Sequence, residues 1–360
     1  MKAAVCREFG KPLVIEEVTL ADPGHGEARV KIKAVAICHS DILYADGEWG
    51  GDLPAIYGHE CAGVVESVGS GVNSVKVGDH VAVTLIRSCG HCRECTRGNP
   101  VSCDTIFPLD VKTPLADRSG KPIVQSLRTG GFAEYVVVHE SQMVAVPDSI
   151  PLVNAALLAC GVITGFGAVT NTAKVPPGSQ VVVIGTGGVG LNAIQGARIS
   201  GAQTIIAVDI ADNKIEAAKS FGATHGVNSK TENLKARVRE LTGGRGADYV
   251  FVTVGVKSAF DQSYGLLARG GTTVLVGIPA SGVMSEIDVG AMAVSSQNIL
   301  GSKMGSSRIQ VDIPNLVSLY EQGRLKLDEL VTKTYPIEEI NEAIAAVKRG
   351  DALRNVIVFP

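Results

Sequence analysis

The sequence predicts an α/β protein with two domains, one of which is a doubly wound parallel sheet. The chain has 360 residues, and domains of about 150 residues are common, so the length favours two. In the second half, short apolar strand patterns alternate with helical patterns, as they do in parallel α/β sheets. In the first half, clustered cysteines and a histidine-containing segment replace that alternation and indicate a different domain.

The composition is that of a folded protein without a preference for anionic partners. Hydrophobic residues make up 45% of the chain and charged residues 19%, and the formal net charge is −3. This balance gives no electrostatic reason to expect binding to nucleic acid or to an anionic membrane surface. We therefore expect neither among the partners.

The apolar stretches do not predict a membrane-spanning helix. The strongest candidate, residues 155–169, is short and contains three glycines. The first residues, MKAAVCREFGKP, lack the apolar core of a secretory signal. These features favour a cytoplasmic protein, in which the eight cysteines are expected to remain reduced.

Four of the cysteines are spaced as ligands of one metal ion. Cys89, Cys92, Cys95 and Cys103 form the pattern C-x2-C-x2-C-x7-C. Four thiolates complete the tetrahedral coordination of zinc and leave no open position, which is typical of a structural site. An iron–sulfur cluster also takes four cysteines, and surface cysteines without a metal are the third alternative.

Basic side chains surround these cysteines, namely Arg87, His91, Arg93 and Arg97. A basic zinc module could bind nucleic acid. The interpretation we favour is a solvated loop whose cations offset the negative charge of a zinc ion with four thiolates.

A second set of residues has the composition of a catalytic zinc site. Cys38 follows a strand-like stretch at residues 30–37, and His59 lies in YGHECAG. A third ligand must come from further along the chain, and Cys160 is the spare candidate. Three protein ligands leave one position for water or substrate, as in catalytic zinc sites. Each residue alone is more often structural, since a single buried cysteine behaves as a small apolar residue.

A glycine-rich turn between a strand and a helix indicates a dinucleotide site. The strand pattern covers 180–184, a helical pattern follows the turn, and the turn carries Gly185, Gly187, Gly188, Val189 and Gly190. The glycines permit a tight turn, the approach of backbone amides to a pyrophosphate, and close helix–strand packing. A second strand ends at Asp209, whose carboxylate can bind the ribose hydroxyls of NAD and would repel the extra phosphate of NADP. We therefore expect NAD.

Together these motifs resemble those of the zinc-dependent alcohol dehydrogenases of the medium-chain dehydrogenase/reductase family. The matching signature residues are Gly58, His59, Glu60, Gly63, Gly69 and Val72, and the four-cysteine motif and CGVITG follow in the family's order. The resemblance extends to the C-terminal ALRNVIVF and is closest to the liver-type branch. It implies a GroES-like distorted β-barrel catalytic domain and a Rossmann cofactor domain.

The resemblance also implies the domain boundaries and the assembly. Residues 1–161 would form the catalytic domain with both zinc sites, 162–303 the NAD-binding domain, and 304–360 a return segment that completes the catalytic domain. Members of the family form homodimers and homotetramers, commonly through the cofactor-domain sheets.

By the same resemblance, Cys38, His59 and Cys160 bind the catalytic zinc. Glu60 would lie beside it as an alternative ligand, and Asp41 would hydrogen-bond to the ring of His59 and fix its tautomer.

The proton path departs from the best-known liver-type members. Ser40 would accept the proton of the substrate hydroxyl. Three residues further on, where those members carry a histidine, this chain has Leu43. The proton must then leave by another route, and the substitution Leu43→His is expected to raise alcohol oxidation below neutral pH.

The residues that the resemblance implies for NAD binding are spread along the chain. Besides the glycine-rich turn and Asp209 they are His39, Thr164, Lys214, Val254, Val276, Ile278 and Arg354. Lys214 would reach the adenosine ribose, Thr164 the nicotinamide ring, and Arg354 the pyrophosphate. His39 takes a second pyrophosphate position at which some relatives carry arginine, so His39→Arg is expected to tighten NAD binding.

The expected activity is reversible hydride transfer between a primary aliphatic or aromatic alcohol, or its aldehyde, and NAD, with two zinc ions per chain. Polyols are disfavoured because relatives that use them usually have glutamate at the position of Cys160. A glutathione–formaldehyde adduct is an alternative, disfavoured because DVKTPLADRSGKP does not resemble the arginine-bearing loop of such relatives. Trp49, Ile86 and Met304 are candidates to line the pocket.

Two further classes remain as alternatives. One is a zinc-free quinone or enone reductase on the same scaffold, which the retained metal-ligand residues disfavour. The other is a non-catalytic zinc protein, which the complete dinucleotide motif disfavours. Metal analysis distinguishes the three, because they predict two, no and one zinc ion per chain.

Overall fold

A computed structural model describes all 360 residues, which fold into two compact units. The first unit comprises residues Met1–Gly161 and Arg308–Pro360, and the second comprises Val162–Ser307. The family resemblance implied a return segment that begins at residue 304. In the structure it begins at Arg308, because the turn Met304–Ser306 packs against the helix that starts at Ile163 and belongs to the second unit.

The secondary structure includes nineteen strands and twelve α-helices, besides short 3-10 and π-helical segments. The strands are β1 Lys2–Cys6, β2 Val14–Glu17, β3 Thr19–Leu20, β4 Glu27–Ala36, β5 Ala55–Ile56, β6 Glu60–Val68, β7 His80–Val83, β8 Leu115–Ala116, β9 Pro122–Gln125, β10 Tyr135–His139, β11 Met143–Ala145, β12 Gln180–Ile184, β13 Thr204–Asp209, β14 His225–Asn228, β15 Ala247–Val252, β16 Leu267–Leu275, β17 Asn298–Gly301, β18 Val331–Pro336 and β19 Arg354–Val358. The helices are α1 His39–Ala45, α2 Arg93–Thr96, α3 Pro108–Val111, α4 Leu152–Leu157, α5 Ile163–Gly167, α6 Gly188–Ile199, α7 Asp212–Phe221, α8 Leu234–Leu241, α9 Lys257–Ser263, α10 Val289–Ser295, α11 Ile309–Glu321 and α12 Ile340–Arg349.

The first unit is built from two largely antiparallel sheets. One has the order β2-β1-β5-β9-β8-β3, and the other has the order β11-β7-β6-β4-β19-β18. The long strand β4 pairs with β10 along its first half and with β19 along its second half, so the return segment completes this sheet. Val30 and Ile32 of β4 are fully buried, in keeping with the alternation expected of a strand with one face on the core.

The second unit is a doubly wound parallel sheet with the strand order β14-β13-β12-β15-β16-β17, as predicted. The central strand β12 reads QVVVI and is buried on both faces, which explains its continuous apolar run. Helix α6 follows it and buries Leu191, Ile194 and Ala197. The apolar spacing of this helix is therefore the packing face that the sequence indicated.

One helical stretch is longer than the sequence pattern predicted. Residues Leu152–Ala173 form 22 residues of helix, in which α4 and α5 alternate with the π-helical segments Leu158–Val162 and Ala168–Ala173. By length and composition it could cross a membrane, but 83% of its most apolar window is buried inside the protein. That burial is also what the core helix of a globular protein shows.

Candidate active site

Four buried side chains from distant parts of the chain converge in the first unit. Cys38 precedes α1, His59 precedes β6, Glu60 begins β6, and Cys160 lies in the π-helical segment after α4. One potential ligand atom from each lies within 4.8 Å of the others. Their exposed fractions are 7%, 1%, 0% and 6%, so water reaches the cluster poorly. Two thiols and an imidazole at this separation fit zinc, which prefers sulfur and nitrogen ligands.

Asp41 holds two of these ligands in place. Its Oδ1 accepts hydrogen bonds from the backbone N–H of Gly58, at 2.9 Å, and from the Nδ1 of His59, also at 2.9 Å. Its Oδ2 accepts the backbone N–H of Cys38 at 3.2 Å and so satisfies an amide at the start of α1. Because Nδ1 of His59 faces Asp41, Nε2 is the ring nitrogen left for a metal.

A glycine is required immediately before His59. Gly58 has a φ of +91°, and a Cβ at this position would lie 2.7 Å from the backbone nitrogen of Phe132. Any other residue would therefore be strained in its backbone and would collide with the segment that precedes β10. The glycine of the sequence motif thus sets the direction in which His59 leaves the chain.

The electrostatics of the cluster favour anionic sulfur beside the imidazole. The thiol of Cys160, which hydrogen-bonds to Cys38, lowers the pKa of Cys38 well below its ordinary value, and His59 adds to this effect. Burial acts to lower the pKa of His59, but Asp41 and Cys38 outweigh it and raise that pKa. The fold therefore stabilises a thiolate at Cys38, which is the form that binds a metal.

Glu60 forms a buried ion pair that the sequence did not indicate. Its Oε2 accepts a hydrogen bond from the guanidinium of Arg354, whose exposed fraction is 6%. Its Oε1 is buried without a hydrogen-bond partner. Burial raises the pKa of Glu60 to about 7, against the lowering effect of Arg354. A carboxylate with one oxygen held and one unpaired fits a position beside a cation.

The remaining predicted residues of this region lie on or after α1. Ser40 lies with its Oγ 3.3 Å from Cys38 Sγ, and Leu43 lies on the same helix. His39 is exposed at the first position of the helix. Trp49 packs edge-to-face on Tyr44 with ring centroids 5.1 Å apart, and its buried indole N–H has no partner.

The four-cysteine segment forms a separate, partly exposed lobe in the same unit. The sulfurs of Cys89, Cys92, Cys95 and Cys103 lie within 4.8 Å of one another. The backbone amide of Cys92 donates to Cys89 Sγ at 3.2 Å, and that of Cys89 donates to Cys103 Sγ at 3.4 Å. A hydrogen bond with the side chain of Thr105 helps to lower the pKa of Cys89 to about 6. This donor set fits a structural zinc ion.

In the second unit, the glycine-rich turn has the geometry expected of a pyrophosphate cradle. It joins the carboxyl end of β12 to the start of α6. A Cβ at Gly190 would lie 1.8 Å from the carbonyl oxygen of Gly185, so helix and strand pack too closely for a side chain there. A Cβ at Gly187 would meet nothing within 4 Å. The open space beside Gly187 at a helix N-terminus fits a phosphate group.

Asp209 ends the neighbouring strand β13 and is bound to this turn. Its Oδ2 accepts the backbone N–H of Thr186 at 2.8 Å and the Oγ1 hydroxyl of Thr186 at 3.0 Å. Its Oδ1 accepts the backbone N–H of Ile210 at 2.8 Å. Lys214 lies nearby in sequence, in the first turn of α7. The carboxylate is thus fixed at the carboxyl edge of the sheet.

Two further predicted segments end at the same edge. Val254 and Gly255 follow β15, and Val276 and Ile278 follow β16. A Cβ at Gly255 would lie 2.3 Å from the carbonyl oxygen of Ile278, so the two loops touch. Since β12, β13, β15 and β16 are parallel neighbours, their loops lie at one edge of the sheet, which is where ligands bind in open α/β sheets.

Thr164 and Met304 meet elsewhere in the second unit. Thr164 is buried on α5, and its hydroxyl lies 3.7 Å from the sulfur of Met304. Ile86 is buried in the first unit.

The structure thus brings together the predicted metal ligands and, separately, the predicted cofactor loops. The pairing of Arg354 with Glu60, which are 294 residues apart, has no counterpart in any sequence spacing.

Models of two protein families match the chain. The model described as an alcohol dehydrogenase GroES-like domain matches residues 24–148, and the model described as a zinc-binding dehydrogenase matches residues 188–322. The first match lies within the first unit, and the second covers most of the second unit and continues through α11 of the first unit.

Several known proteins are similar over the full length. An NDMA-dependent alcohol dehydrogenase of Amycolatopsis methanolica is 39% identical over 99% of this chain and 98% of that relative. The crystal structure of an alcohol dehydrogenase zinc-binding domain protein from Burkholderia ambifaria is 38% identical with a TM-score of 0.95, covering 100% of this chain and 98% of that one. Benzyl alcohol dehydrogenase from Acinetobacter calcoaceticus is 34% identical with a TM-score of 0.93, covering 100% and 99%.

Proposed function

The chain belongs to the zinc-binding alcohol dehydrogenase family, and from that premise we propose that it transfers hydride reversibly between a primary alcohol and NAD. The observation that carries the proposal is the buried convergence of Cys38, His59 and Cys160, with Glu60 beside them. The four-cysteine lobe and Cys160 also favour the liver-type branch. A zinc-free reductase would have no need of this ligand set.

The metal-binding residues have defined tasks in this proposal. Zinc held by Cys38, His59 and Cys160 would supply Lewis acidity toward an alcohol or carbonyl oxygen, and NAD would carry the hydride. Asp41 fixes the ring of His59, with its oxygen 2.9 Å from Nδ1, so that Nε2 points at the cluster. The half-paired carboxylate of Glu60 supplies negative charge beside the site, and Arg354 holds that carboxylate in position.

Ser40 is the residue we propose to accept the substrate's hydroxyl proton. Its hydroxyl lies 3.3 Å from Cys38 Sγ, within reach of a ligand that approaches the cluster. Leu43, one turn further along α1, cannot carry the proton onward, so water or another group must do so. His39 at the start of the same helix is our candidate for a pyrophosphate contact.

NAD rather than NADP is proposed as the cofactor. The carboxylate of Asp209 lies at the end of β13 next to the glycine-rich turn, where it is suited to bind ribose hydroxyls. The next residues, Ile210 and Ala211, provide no cation for an additional phosphate. Lys214, Val254, Val276, Ile278 and Thr164 are proposed as further contacts on the basis of the resemblance.

The proposed substrates are primary aliphatic and aromatic alcohols and their aldehydes. The similarity to benzyl alcohol dehydrogenase supports the aromatic class. Trp49 supports it as well, because it follows α1 closely in the chain and its ring packs on the ring of Tyr44. A glutathione–formaldehyde adduct is the competing substrate.

The test is a screen of cofactor reduction by the purified protein with its metal content measured. We expect two zinc ions per chain and reduction of NAD+, but not NADP+, with aliphatic or benzylic primary alcohols. The variant Cys38→Ser serves as the matched control and should lose one zinc ion together with the activity. Activity with polyols alone, with NADP+ alone, or without zinc would contradict the proposal. Because a similar protein is named NDMA-dependent, NDMA is included as a second acceptor.

We also propose that the protein forms a homodimer or homotetramer through the edge of its parallel sheet. Strand β17 lies at that edge, and helix α10 beside it buries none of its residues. Val289 and Val294 are 77% and 78% exposed, an unfavourable state for apolar side chains in a monomer. Val294→Asp should lower the mass measured by light scattering, whereas Val111→Asp, at a site 79% exposed in the first unit, should not. Equal masses for both variants would contradict this interface.

A further inference from the structure

Arg87 is the largest fully buried side chain of the protein, although it carries a charge. Its exposed fraction is 1%. The Nε donates to Gln142 Oε1 at 2.7 Å, one terminal nitrogen to Asp110 Oδ1 at 2.9 Å, and the other to the carbonyl oxygen of Arg128 at 3.2 Å. Burying a cation costs free energy unless the cation is paired and hydrogen-bonded in a well-defined geometry. Arg87 meets this condition, because acceptors bind along every edge of its guanidinium.

The partners of Arg87 surround the base of the four-cysteine lobe. Arg87 lies two residues before Cys89, where the lobe begins, and Asp110 lies seven residues after Cys103, where it ends. Between these ends, the guanidinium carbon lies 5.7 Å from the ring centroid of Phe107. The ion pair therefore closes the loop of chain that carries all four cysteines.

The same network continues into the body of the first unit. Gln142 donates from its amide to the carbonyl oxygens of Thr84, at 2.9 Å, and Arg128, at 3.0 Å. The Arg128 carbonyl thus receives two buried donors, although Arg128 itself has a strained φ of +59°. The lobe is anchored to segments that are distant from it in sequence.

From this geometry we propose that Arg87 is a positioning residue, which holds the base of the lobe closed and thereby sets how firmly the four cysteines retain zinc. The proposal rests on the zinc site proposed for the lobe. Closing a loop restricts the chain between its ends, so the cysteines of a closed lobe lie near their bonding positions before the ion arrives. Residues that hold metal ligands in place typically change metal affinity by about 10- to 100-fold when they are removed.

A second arginine of the lobe provides a matched control. Arg97 is 63% exposed in its side chain and pairs only loosely with Glu94, at 3.5 Å. If basic residues retained the metal merely by offsetting the charge of four thiolates, Arg97 and Arg87 would act alike. If zinc is retained because the base of the lobe is closed, removal of Arg87 should speed zinc release and removal of Arg97 should not.

The experiment compares Arg87→Met with Arg97→Met in the full-length zinc-loaded protein. A chromogenic chelator in excess reports the release of each zinc ion with time. We expect one of the two ions to leave Arg87→Met about tenfold faster than the unmodified protein, and the release from Arg97→Met to be unchanged. Equal release from all three proteins, or equal acceleration in both variants, would overturn the proposal.

Two additional variants guard against simple misfolding. Arg87→Lys keeps the charge but cannot form three bonds from one planar group, so it should not restore slow release. Asp110→Asn keeps the shape of the partner and should accelerate release by a smaller factor. Release from Arg87→Lys as slow as from the unmodified protein would overturn the proposal. If Arg87→Met does not fold, release from Asp110→Asn at the rate of the unmodified protein would overturn it as well. The zinc content of the unmodified protein tests the lobe's zinc site separately. If the lobe of the unmodified protein holds no zinc, the proposed zinc site is wrong, and the role of Arg87 is not what that result tests.

Discussion

The first unit contains two clusters of metal-ligand residues that differ in composition, burial and sequence span. The lobe draws four thiols from residues 89–103 and keeps them partly exposed. The second cluster draws two thiols, an imidazole and a carboxylate from residues 38–160 and buries all four. One fold therefore holds an all-sulfur cluster near its surface and a mixed sulfur, nitrogen and oxygen cluster in its interior.

If the proposed roles are correct, the difference indicates how the fold separates a structural metal site from a catalytic one. In the lobe, local backbone amides orient the sulfurs, so the site depends on a short segment and its base. In the buried cluster, His59 is oriented by Asp41 and Glu60 by Arg354, and each of these partners belongs to another segment than the residue it orients. A ligand set held by separate elements leaves room for a substrate, whereas four thiolates around one ion do not.

The sharpest test of the comparison removes one ligand from each cluster. His59→Ala should lose one zinc ion and lower kcat/KM by at least about 10³-fold, because the metal supplies several kcal/mol of charge stabilisation. Cys95→Ala should lose the other ion. Metal analysis and alcohol oxidation of both variants provide the measurement, and loss of both ions from His59→Ala would show that the clusters are not independent.

A smaller effect is expected from Asp41→Asn. The asparagine amide keeps the shape of the side chain, but it is uncharged and has one acceptor oxygen in place of two. It therefore cannot accept all three hydrogen bonds from His59 and the two backbone amides, and zinc affinity or activity should fall by about 10- to 100-fold. Competition with a chelator measures the affinity, and the lobe ion serves as the internal reference. An unchanged affinity would mean that the 2.9 Å contact with His59 does not position the ring.

Packing behind the buried cluster should matter more than packing elsewhere. A Cβ at Gly131 would lie 2.1 Å from Cys61 Sγ and 2.9 Å from the carbonyl oxygen of Gly58. Gly131→Ala should therefore lower the free energy of unfolding by about 1–3 kcal/mol and weaken zinc binding near His59. Gly290→Ala, where the nearest atom would be 3.4 Å away, is the control. Similar urea midpoints for both variants would refute the predicted clash.

The smallest effect concerns pH and a histidine near the base of the lobe. Burial lowers the pKa of His139, against the raising effect of Glu140, and its Nδ1 accepts the backbone N–H of Ser141 at 3.2 Å. Below about pH 6.5 the unfolded chain binds this proton more readily than the folded one, so stability should fall as the pH decreases. His139→Gln should flatten this part of the profile. Urea unfolding between pH 5 and 7.5 measures it, and parallel profiles would argue against the burial effect.

Much of the fold follows from local patterns in the sequence. The apolar run at Gln180–Ile184 and the helix after Gly188 occur where the pattern predicts them, because each buries a face that its own residues define. The family resemblance implied a return segment from residue 304, whereas the first compact unit resumes at Arg308, because the turn Met304–Ser306 packs against α5.

The candidate metal-ligand residues were predicted in two ways, whereas their surroundings were not predicted. Spacing revealed the lobe, and the family resemblance supplied Cys38, His59 and Cys160. Neither revealed that Arg354 pairs with Glu60, or that Arg87 joins Asp110 to Gln142. Arg87 was expected among the cations of a solvated loop but is buried, and Arg354, expected at the pyrophosphate, is buried against Glu60.

The sequence by itself indicated which residues are candidates to bind metal and nucleotide, because ligand chemistry, glycine conformation and strand or helix periodicity belong to individual residues and their near neighbours. Only the tertiary structure decided which cysteines are buried, which carboxylate faces which arginine, and where the return segment begins. Those features depend on burial and on contacts between elements far apart in the chain, and no spacing along the sequence encodes them.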